Sequence, residues 1–401
     1  MISLRKLLLK PHYVRFVQRA LLLSVVIVLC LCGWFKGRGD LTTIPSYQFR
    51  EGDRALLKGY SSSDKIIPFP WLPSAHRGGR VWDGHSAHCA PNGSAASDPK
   101  FGKHSKLIQD FLTYRHCRNF ELIIEPRTKC SSRDVFLLIA IKTNAQNVDR
   151  RDVIRRTWGK ERQIKGLFVQ RLFLVGVNTQ PFESSLLNSL LQQESIQHGD
   201  ILQWNFFDTF FNLTVKQVLF LDWLKDKCSN ARFIFNVDDD VFVNTDNAVA
   251  FLLHRQQTQP ERQHLYAGMI IQNVGPIRME GSKYYVPKQI QESDKYPPYA
   301  AGGGILMSYW TAMQICEAVP SLPILPIDDV FLAQCLEKQG LKPEKHSGIH
   351  CAGFRVPSKQ SSSFHPCYYR EMLLVHRLLP YQILLMWNAL QDFNLNCNNV
   401  I

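Results

Sequence analysis

The sequence predicts an α/β fold built on a mostly parallel sheet. From residue 135 onward, apolar strand-like runs alternate with helical stretches, beginning with the run VFLLIAIK at 135–142. This alternation is typical of a parallel sheet whose faces are covered by helices. A later run at 233–237 is β-branched and aromatic, and it ends in three consecutive carboxylates, Asp238, Asp239 and Asp240. Ligands of such sheets bind at the carboxyl ends of the strands, so we expect a site at this triplet.

The predicted elements follow one another along the chain. They are strands at 135–142, 171–177, 201–205 and 233–237, and helices at 149–158, 184–193, 213–227 and from about 328 to 340. A last strand-like run at 372–376 is closed by His376. Neither G-x-G-x-x-G nor G-x-x-x-x-G-K-[ST] occurs, so the sequence predicts neither a plain dinucleotide-binding fold nor a P-loop protein.

The N-terminus predicts a single-pass type II membrane protein. Five basic residues precede an uncharged apolar run at 20–35, and this excess predicts a cytoplasmic tail with the rest of the chain outside the cytosol. The run has no small-x-small cleavage site near its end, which favours a retained anchor over a cleaved signal peptide. We therefore expect a tail at 1–19, a transmembrane signal-anchor at 20–35, a lumenal stem rich in Pro, Gly and Ser at 36–106, and a catalytic domain at 107–401.

The cysteine content agrees with an oxidising lumen. Nine cysteines follow the anchor without a C-x-x-C pair, which favours disulfides over zinc, and the odd number leaves at least one thiol free or paired with another chain. Asn92 and Asn212 begin N-x-[ST] sequons and are candidate N-glycosylation sites.

The formal charge is +13. In an anchored, disulfide-rich chain it favours acidic glycans, anionic lipid headgroups or UDP as partners over nucleic acid.

The acidic triplet is a candidate metal site. Because side chains alternate along a strand, Asp238 and Asp240 are expected on one face and Asp239 on the other. Three like charges at a sheet edge repel one another unless a cation is bound, and a D-x-D pair can hold a divalent metal that also grips a diphosphate. An EF-hand is excluded, because no Gly follows at position six and no Glu at position twelve. A solvated acidic turn is the alternative.

Three further patterns carry candidate functional residues. The loop YPPYAAGGG at 296–304 allows close backbone approach to a ligand, and its tyrosines could stack on sugar rings. Asp328 and Asp329 introduce an apolar helix, where one of them fits a cap and the other is a candidate base. His376 could complete a metal site, although most lone histidines are structural.

Taken in order, five sequence blocks resemble the Golgi β-1,3-glycosyltransferase family (glycosyltransferase family 31), over residues 111–397. Within it, DILQW at 200–204, the AGGG-type loop and PIDD at 326–329 are most similar to the N-acetylglucosaminyltransferase branch. The galactosyltransferase branch usually has Glu-Asp where this chain has Asp328-Asp329. Segments 111–118 and 366–370 look closest to the keratan-sulfate-associated type of the N-acetylglucosaminyltransferase branch. The five blocks are RRDVIRRTWG (150–159), DTFFNLT (208–214), DDDVFVN (238–244), YPPY (296–299) and PIDDV (326–330).

The resemblance implies a GT-A fold and an inverting transfer, dependent on Mn²⁺ or Mg²⁺, of N-acetylglucosamine from UDP-N-acetylglucosamine to the 3-hydroxyl of a terminal β-galactose. Such transfer elongates poly-N-acetyllactosamine or keratan sulfate. Inversion in one displacement needs a carboxylate base, and the resemblance assigns this role to Asp329, with Asp328 as the lesser candidate. The metal ligands implied are Asp238, Asp240 and His376. The nucleotide-sugar contacts implied are Lys142, Arg150, Arg151, Arg155, Asp238 and Asp239, and the acceptor contacts are Tyr299, Gly302, Gly303 and Asp328.

The resemblance further implies residence in the Golgi membrane through the chain's own anchor, and it allows assembly with itself or with other glycosyltransferases. Two other functions stay open, a β-1,3-galactosyltransferase and a non-catalytic, lectin-like Golgi protein. The chain departs from the family pattern at Asn236-Val237, where Lys-Gly is common, and at Ala301 and Ala333, where Gly is usual. These departures leave the implied metal ligands and base in place.

Overall fold

The fold is taken from a computed structural model that describes residues 89–126, 128–130, 134–351 and 363–397. The predicted tail (1–19), the predicted anchor (20–35) and the predicted stem up to residue 88 lie outside the described residues. Within the ranges given, no helix combines the length and the apolar character needed to cross a membrane.

The described residues form strands and helices in alternation. The strands are β1 (Leu122–Ile124), β2 (Val135–Lys142), β3 (Arg162–Ile164), β4 (Leu167–Val177), β5 (Ile201–Phe207), β6 (Ala231–Asp238), β7 (Val241–Val243), β8 (Tyr266–Gly268), β9 (Ile270–Ile271), β10 (Tyr299–Ala300), β11 (Gly304–Ser308), β12 (Glu344–Lys345), β13 (Ile349–His350) and β14 (Leu374–His376). The helices are α1 (Lys106–Tyr114), α2 (Val148–Arg156), α3 (Pro181–His198), α4 (Leu213–Lys227), α5 (Thr245–Thr258), α6 (Tyr309–Ala318), α7 (Asp328–Lys338), α8 (Pro366–Arg370) and α9 (Pro380–Leu390). Short 3-10 turns cover Gly93–Ser97, Phe101–Lys103, Phe210–Asn212 and Val319–Ser321.

A nine-stranded mixed sheet forms the centre of the fold, in the order β1-β5-β4-β2-β6-β11-β8-β12, with β3 paired to β4. The four central strands β5, β4, β2 and β6 run parallel to one another. On one side β11 runs antiparallel to both β6 and β8. The parallel centre confirms the predicted α/β class with a mostly parallel central sheet, and the carboxyl ends of β2, β4, β5 and β6 share one edge.

Several predicted elements are confirmed closely. β2 and α4 have the predicted bounds, and α3 extends the predicted helix at 184–193 in both directions. Sequence patterns did not predict β11 and β8, whose apolar runs are short and lie in the irregular second half of the chain.

Burial on both faces explains the continuous apolar run of β2, which is buried along its whole length. Leu138 and Ala140 contribute to the hydrophobic cluster that contains α4. Leu137, Ile139 and Ile141 contribute to the opposite cluster, which contains α2 and α5. Because a slip of one residue would exchange the two faces, this packing fixes the position of the carboxyl end of β2.

A smaller sheet brings the C-terminal part of the chain to the same edge. β14 pairs antiparallel with β7 and parallel with β13. In this register His376 lies opposite Val241, the residue that follows the acidic triplet. The predicted strand at 372–376 thus places its terminal histidine next to the three carboxylates.

Three disulfides confirm that cysteines of this chain are oxidised, and Cys316, Cys335 and Cys351 remain unpaired thiols. The bonded pairs are Cys89–Cys117, Cys130–Cys228 and Cys367–Cys397. The first pair fastens the described end of the predicted stem to the residues that follow α1. A hydrogen bond from the Asn92 amide to the Thr113 carbonyl, at 2.9 Å, supports the same attachment.

The two predicted glycosylation sites differ sharply in exposure. Asn92 is exposed and caps the 3-10 turn at Gly93–Ser97. Asn212 is 1% exposed, and its Nδ2 donates a hydrogen bond to the Phe207 carbonyl at 2.7 Å. A glycan on Nδ2 would break that bond, so the structure favours Asn92 over Asn212 as the glycosylated residue.

We expect secretory cells to attach one N-glycan to the described part of the chain, at Asn92. Enzymatic removal of N-glycans should then change the gel mobility by one glycan. The shift should disappear in Asn92→Gln and persist in Asn212→Gln. A shift that survived Asn92→Gln but was lost in Asn212→Gln would contradict the burial of Asn212.

Candidate active site

At the carboxyl ends of β2 and β6, a buried lysine bridges two carboxylates. Lys142 is paired in register with Asp238, and it is only 6% exposed. Its Nζ lies 3.1 Å from Oδ1 of Asp238 and 2.7 Å from Oδ2 of Asp328, the first residue of α7. Burial alone would lower the pKa of Lys142, but the charges and hydrogen bonds of the two carboxylates outweigh burial and raise the pKa. Lys142 is therefore a permanent positive charge at this edge.

Asp238, Asp240 and His376 converge beside this lysine. Nε2 of His376 lies 2.9 Å from Oδ1 of Asp240 and 3.8 Å from Oδ2 of Asp238. Nδ1 of His376 lies 2.9 Å from the Cys351 carbonyl, which can only accept, so Nδ1 carries the proton and Nε2 presents a lone pair in the neutral ring. One ligand atom from each residue lies within 4.8 Å of the others. Two carboxylate oxygens and an imidazole nitrogen suit Mn²⁺ or Mg²⁺, so this donor set fits the implied metal.

The charges of these three groups depend on one another. Burial, opposed by Lys142, raises the pKa of Asp238. Burial would also raise the pKa of Asp240, but the hydrogen bond and charge of His376 outweigh it and lower the pKa. Burial would lower the pKa of His376, but the hydrogen bond and charge of Asp240 raise it. Two carboxylates that share one histidine form a site where a cation would relieve repulsion.

Asp239 points away from this cluster, as the alternation of side chains predicts. Its Oδ2 accepts hydrogen bonds from Thr143 Oγ1 at 2.5 Å and Asn147 Nδ2 at 2.8 Å. Nε of Arg150 lies 3.8 Å from Oδ1 of Asp239. Asp239 therefore fixes the segment between β2 and α2 and holds Arg150 beside the triplet.

Asp328 and Asp329 both lie in the first turn of α7 but have different surroundings. Asp328 is 7% exposed and is paired with Lys142. Asp329 is half-buried, and its oxygens accept backbone hydrogen bonds from Gly302 at 3.0 Å and Val330 at 2.8 Å. Burial and the charge of Asp328 raise the pKa of Asp329 to about 7. A carboxylate that titrates near neutral pH is suited to accept a proton from a substrate.

The glycine loop at 302–304 connects these groups. The Gly302 amide donates to Asp329, and the Gly302 carbonyl accepts from Lys142 at 3.3 Å. The Gly303 carbonyl accepts from the Asp238 amide at 3.3 Å. A Cβ atom at Gly303 would lie 2.6 Å from Nδ1 of His376, which is too close for a real contact. The absence of a side chain at Gly303 is therefore required for the position of the histidine.

Gly303→Ala should displace His376 and weaken metal binding, because the added methyl occupies the position of the imidazole ring. For the Mn²⁺-dependent transfer that the family resemblance implies, we expect a loss of activity of about 10- to 100-fold and a higher Mn²⁺ concentration for half-maximal activity. Gly281→Ala is the matched control, since a Cβ there meets nothing within 4 Å. A Mn²⁺ titration that is the same in Gly303→Ala and in the unmodified protein would disprove this role of Gly303.

Arg150, Arg151 and Arg155 do not share one environment. Arg150 borders the triplet, with Nη1 donating to the Leu378 carbonyl at 3.2 Å. Arg151 is fully buried, donates to Glu194 at 2.7 Å, and donates to the carbonyls of Asn144 at 2.6 Å and Ala145 at 2.9 Å.

Arg155 is bound by two carboxylates, Glu194 at 2.5 Å and Asp200 at 2.8 Å. Its hydrogen bonds to Asp200 and Glu194, together with their charges, outweigh burial and raise the pKa of Arg155. The guanidinium groups of Arg151 and Arg155 are thus occupied within a buried ion-pair cluster. The predicted contacts of Arg151 and Arg155 with the nucleotide therefore do not match their position. Both arginines are held by Glu194 on α3, and Arg155 also by Asp200 just before β5, instead of facing the acidic triplet.

Sequence reasoning missed buried residues that bind the backbone just after β2 and so help to position the site. Lys216, on α4, is 1% exposed. It donates to the Thr143 carbonyl at 2.7 Å and to Asp208 at 2.9 Å. Asp208 also accepts from the Gly176 amide at 2.8 Å. A lysine among the apolar residues of the predicted helix at 213–227 was the available signal, since a buried lysine needs a carboxylate partner.

Tyr299 stands on β10, just before the glycine loop. It is half-buried, and its ring centroid lies 6.4 Å from that of Tyr296. Burial, with contributions from the charges of Asp329 and Tyr284, raises the pKa of Tyr299 to about 12. The residue is therefore a neutral aromatic group close to Asp329, as stacking on a sugar requires.

A triad of potential metal ligands, a fixed lysine and a separate half-buried carboxylate lie together at the carboxyl edge of a parallel sheet. This arrangement defines a class of α/β enzymes that bind an activated, phosphate-bearing substrate and remove a proton from a second one.

Comparison with known proteins agrees with this class and makes it specific. Residues 149–347 match the family model described as galactosyltransferase. The human N-acetyllactosaminide β-1,3-N-acetylglucosaminyltransferase 3 is 52% identical over 78% of this chain and 83% of its own length. The human acetylgalactosaminyl-O-glycosyl-glycoprotein β-1,3-N-acetylglucosaminyltransferase is 47% identical over 77% of this chain and 80% of its own. The rat UDP-GlcNAc:βGal β-1,3-N-acetylglucosaminyltransferase 7 is 41% identical over 84% of each chain.

The chain belongs to the galactosyltransferase family and is a glycosyltransferase. The predicted family and its N-acetylglucosaminyltransferase branch are thereby confirmed. The keratan-sulfate-associated type that segments 111–118 and 366–370 indicated is type 7, which is among the matches, and type 3 shares the higher identity.

Proposed function

We propose that the protein transfers N-acetylglucosamine from UDP-N-acetylglucosamine to the 3-hydroxyl of a terminal β-galactose, with inversion at the anomeric carbon, on a GT-A type fold. The observation that carries the proposal is the separation of two carboxylate functions across the glycine loop. Asp238 and Asp240 face His376, whereas Asp329 stands alone with backbone partners. The names of the relatives support the donor and the linkage.

Asp329 is proposed as the catalytic base. As O3 of galactose attacks the anomeric carbon, its proton passes to an oxygen of Asp329, while the bond from the anomeric carbon to the phosphate oxygen breaks and its electron pair leaves with UDP. The pKa of about 7 leaves a substantial fraction of Asp329 ionised at neutral pH. Asp328 is the weaker candidate, because Lys142 already holds its carboxylate at 2.7 Å.

The leaving diphosphate requires positive charge. We propose that Asp238, Asp240 and His376 hold Mn²⁺ or Mg²⁺, which when bound would neutralise negative charge that develops on UDP. Lys142 lies 3.1 Å from Asp238 and Arg150 lies 3.8 Å from Asp239, and both are proposed to face the nucleotide. Asp239 contributes by holding Arg150 and the segment from Thr143 to Asn147 in place.

Arg151 and Arg155 are proposed to act on the nucleotide through this segment rather than by contact. Arg151 binds the carbonyls of Asn144 and Ala145, and the buried Glu194 binds both arginines. For the acceptor, we propose that Tyr299 stacks on the galactose ring and that the backbone of Gly302 and Gly303, with Asp328 behind it, shapes the floor of the acceptor site.

We further propose that the protein is a type II protein of the Golgi membrane, with residues 20–35 as its anchor, 1–19 as its tail, 36–106 as its stem and 107–401 as its catalytic domain. The proposal rests on the sequence pattern of the N-terminus and on the disulfides, which suit a secretory compartment. Assembly with itself or with other glycosyltransferases is part of the same proposal.

The test is a competition between donors, with the full chain purified in detergent from secretory cells. UDP-N-acetylglucosamine and UDP-galactose are offered with a β-galactose-terminated oligosaccharide and Mn²⁺, and the product linkage is read by NMR. We expect transfer of N-acetylglucosamine in β-1,3 linkage. Transfer of galactose instead would favour the β-1,3-galactosyltransferase, and a folded protein that binds the oligosaccharide without transfer would favour the lectin-like function.

A further inference from the structure

An open cleft at the amino end of β6 lies at the edge of the central sheet opposite to the candidate active site. Its volume is about 420 Å³, and the residues that line it include three arginines and a tryptophan, Arg232, Arg255, Arg262 and Trp310. Arg232 is the second residue of β6, and Asp238 is the last. The strand between them spans about 20 Å, so the cleft is well separated from the acidic triplet.

The floor of the cleft belongs to the central sheet. Phe233 on β6 and Ser308 on β11 lie opposite each other in register, and both are buried. Oγ of Ser308 donates to the Gln263 carbonyl at 2.6 Å, and the Ser308 amide donates to the Leu265 carbonyl at 3.1 Å. These bonds attach the segment that precedes β8 to the sheet. The cleft is therefore formed by rigid elements, and its volume is in the range of small-molecule sites.

Two of the arginines share one carboxylate. Nη1 and Nη2 of Arg255 each lie 3.2 Å from an oxygen of Glu344, and Nη2 also donates to the His264 carbonyl at 2.7 Å. Nη2 of Arg262 lies 2.7 Å from the same carboxylate. Glu344 can neutralise only one of the two guanidinium charges, and it is not among the residues that line the cleft. One positive charge therefore remains in excess on this part of the lining.

Arg232 contributes a further guanidinium, whose partner is readily replaced. It pairs with Asp134, and the two side chains are 49% and 60% exposed. An ion pair this exposed contributes only about 0–1 kcal/mol, so an anion in the cleft can compete with Asp134. Arg262 is 48% exposed, whereas Arg255 is 10% exposed. The cleft thus combines one fixed, buried guanidinium with two accessible ones.

Trp310, on α6, gives the cleft an aromatic surface. It is half-buried, and its ring meets that of His264 edge to face, with centroids 6.4 Å apart. His264 is fixed in turn by Thr311 Oγ1 at 3.0 Å and by the Lys342 carbonyl at 2.9 Å. An indole stacks on the apolar face of a pyranose, and guanidinium groups bind sulfate or carboxylate. Exposed amides that can pair with sugar hydroxyls complete the lining, from Gln256, Gln259 and Gln263.

We propose that this cleft is a second glycan-binding site, for a sugar that carries a sulfate ester or a carboxylate. The three arginines hold the anion, and Trp310 stacks on the sugar ring. A simple anion or an acidic peptide would leave the indole and the amides unused. The site is separate from the proposed acceptor site, and binding there does not depend on the proposed transfer reaction.

The test measures glycan binding by titration calorimetry, with the full chain purified in detergent and without donor. Three tetrasaccharides that lack a terminal β-galactose are compared, namely unsulfated chondroitin, chondroitin 6-sulfate and the neutral cellotetraose. We expect the preferred anionic tetrasaccharide to bind at least about tenfold more tightly than cellotetraose, with a difference that shrinks as salt is added. The two chondroitin arms show whether the sulfate ester is needed or the carboxylate suffices.

Variants of the lining locate the binding. Arg232→Gln and Arg262→Gln should each raise the Kd of the preferred tetrasaccharide about fivefold, as for one exposed charge contact. Trp310→Ala should also raise this Kd, because it removes the stacking surface. Arg156→Gln is the matched control, since Arg156 is an exposed arginine that pairs with Asp152 and does not line the cleft. Its Kd should stay unchanged, and thermal unfolding curves show that each variant is folded.

Three results would overturn the proposal. The first is an unchanged Kd in both arginine variants, and the second is equal binding of cellotetraose and the anionic tetrasaccharides. The third is displacement of the tetrasaccharide by UDP and Mn²⁺, which would assign the binding to the candidate active site. An octapeptide of glutamates that binds as tightly as the tetrasaccharide would identify an acidic peptide as the ligand and would likewise refute the glycan site.

The outcomes separate this site from the proposed function. Sugar transfer by a protein that binds no anionic tetrasaccharide would refute the second site and leave the function in place. Anionic binding that depends on Arg232 and Arg262, in a protein that transfers no sugar, would support the second site and refute the function.

Discussion

Replacing Asp329 by asparagine is expected to lower kcat by about 10²- to 10⁴-fold, the usual contribution of a general base. The Michaelis constant for the donor should change little, since Asp329 is proposed to contact the acceptor hydroxyl rather than the nucleotide. Asn retains the size of the side chain and one acceptor for the Gly302 amide, so the fold should survive. The measurement is steady-state kinetics with both substrates varied, alongside a thermal unfolding curve.

Asp328→Asn is the neighbouring control for this prediction. Because Asp328 is tied to Lys142, its loss should alter donor binding and stability rather than proton removal. If Asp328→Asn removed the catalytic step and Asp329→Asn did not, the two assignments would be exchanged.

The pH dependence gives a second readout of Asp329. Burial and the charge of Asp328 raise its pKa to about 7, so the active, ionised form grows as the pH rises through 7. Activity should therefore rise through pH 7, and this limb should be absent from the residual activity of Asp329→Asn. For stability, a carboxyl group with a raised pKa favours the folded state below about pH 4 and loses that contribution as the pH rises to about 7. The melting temperature of the unmodified protein should accordingly fall relative to Asp329→Asn over this interval.

Removal of the proposed metal is expected to have an effect of similar size. A chelator should abolish transfer, and Mn²⁺ should restore it. Asp240→Asn should reduce activity by at least ~100-fold and raise the Mn²⁺ requirement, because it removes the carboxylate charge that lies 2.9 Å from His376. The measurement is a Mn²⁺ titration of activity together with metal binding followed by the paramagnetic signal of Mn²⁺.

Asp246→Asn is the matched control, since Asp246 is an exposed carboxylate nearby in the chain that pairs with Arg162 instead. It should keep both the activity and the Mn²⁺ requirement. Full activity in the presence of a chelator would contradict the metal site, as would an unchanged Mn²⁺ requirement in Asp240→Asn.

Sequence patterns predicted those parts of the fold and site that depend on neighbours in the chain. The run at 135–142 is apolar on both faces, so its strand was predicted with the correct bounds. The carboxylates Asp238 and Asp240 follow such a strand directly, so their common direction could be predicted as well.

Features that depend on distant partners could not be predicted. The family resemblance implied nucleotide contacts for the arginines of α2, but Glu194 and Asp200 bind Arg151 and Arg155 from far along the chain. The sequon at Asn212 is a local pattern that carries no information about burial. In the same way, no local signal indicates that the Cys351 carbonyl orients His376.

If residues 20–35 anchor the chain in a membrane as proposed, the Cys89–Cys117 disulfide constrains where the chain can be cut to release it. A protease that cuts the chain between these two cysteines leaves both fragments covalently joined, because the disulfide bridges the cut. Release of a soluble enzyme under oxidising conditions therefore requires cleavage before Cys89. A cut between the two cysteines would release the enzyme only after the disulfide is reduced. The N-terminal residue of a secreted form should therefore lie no later than Cys89.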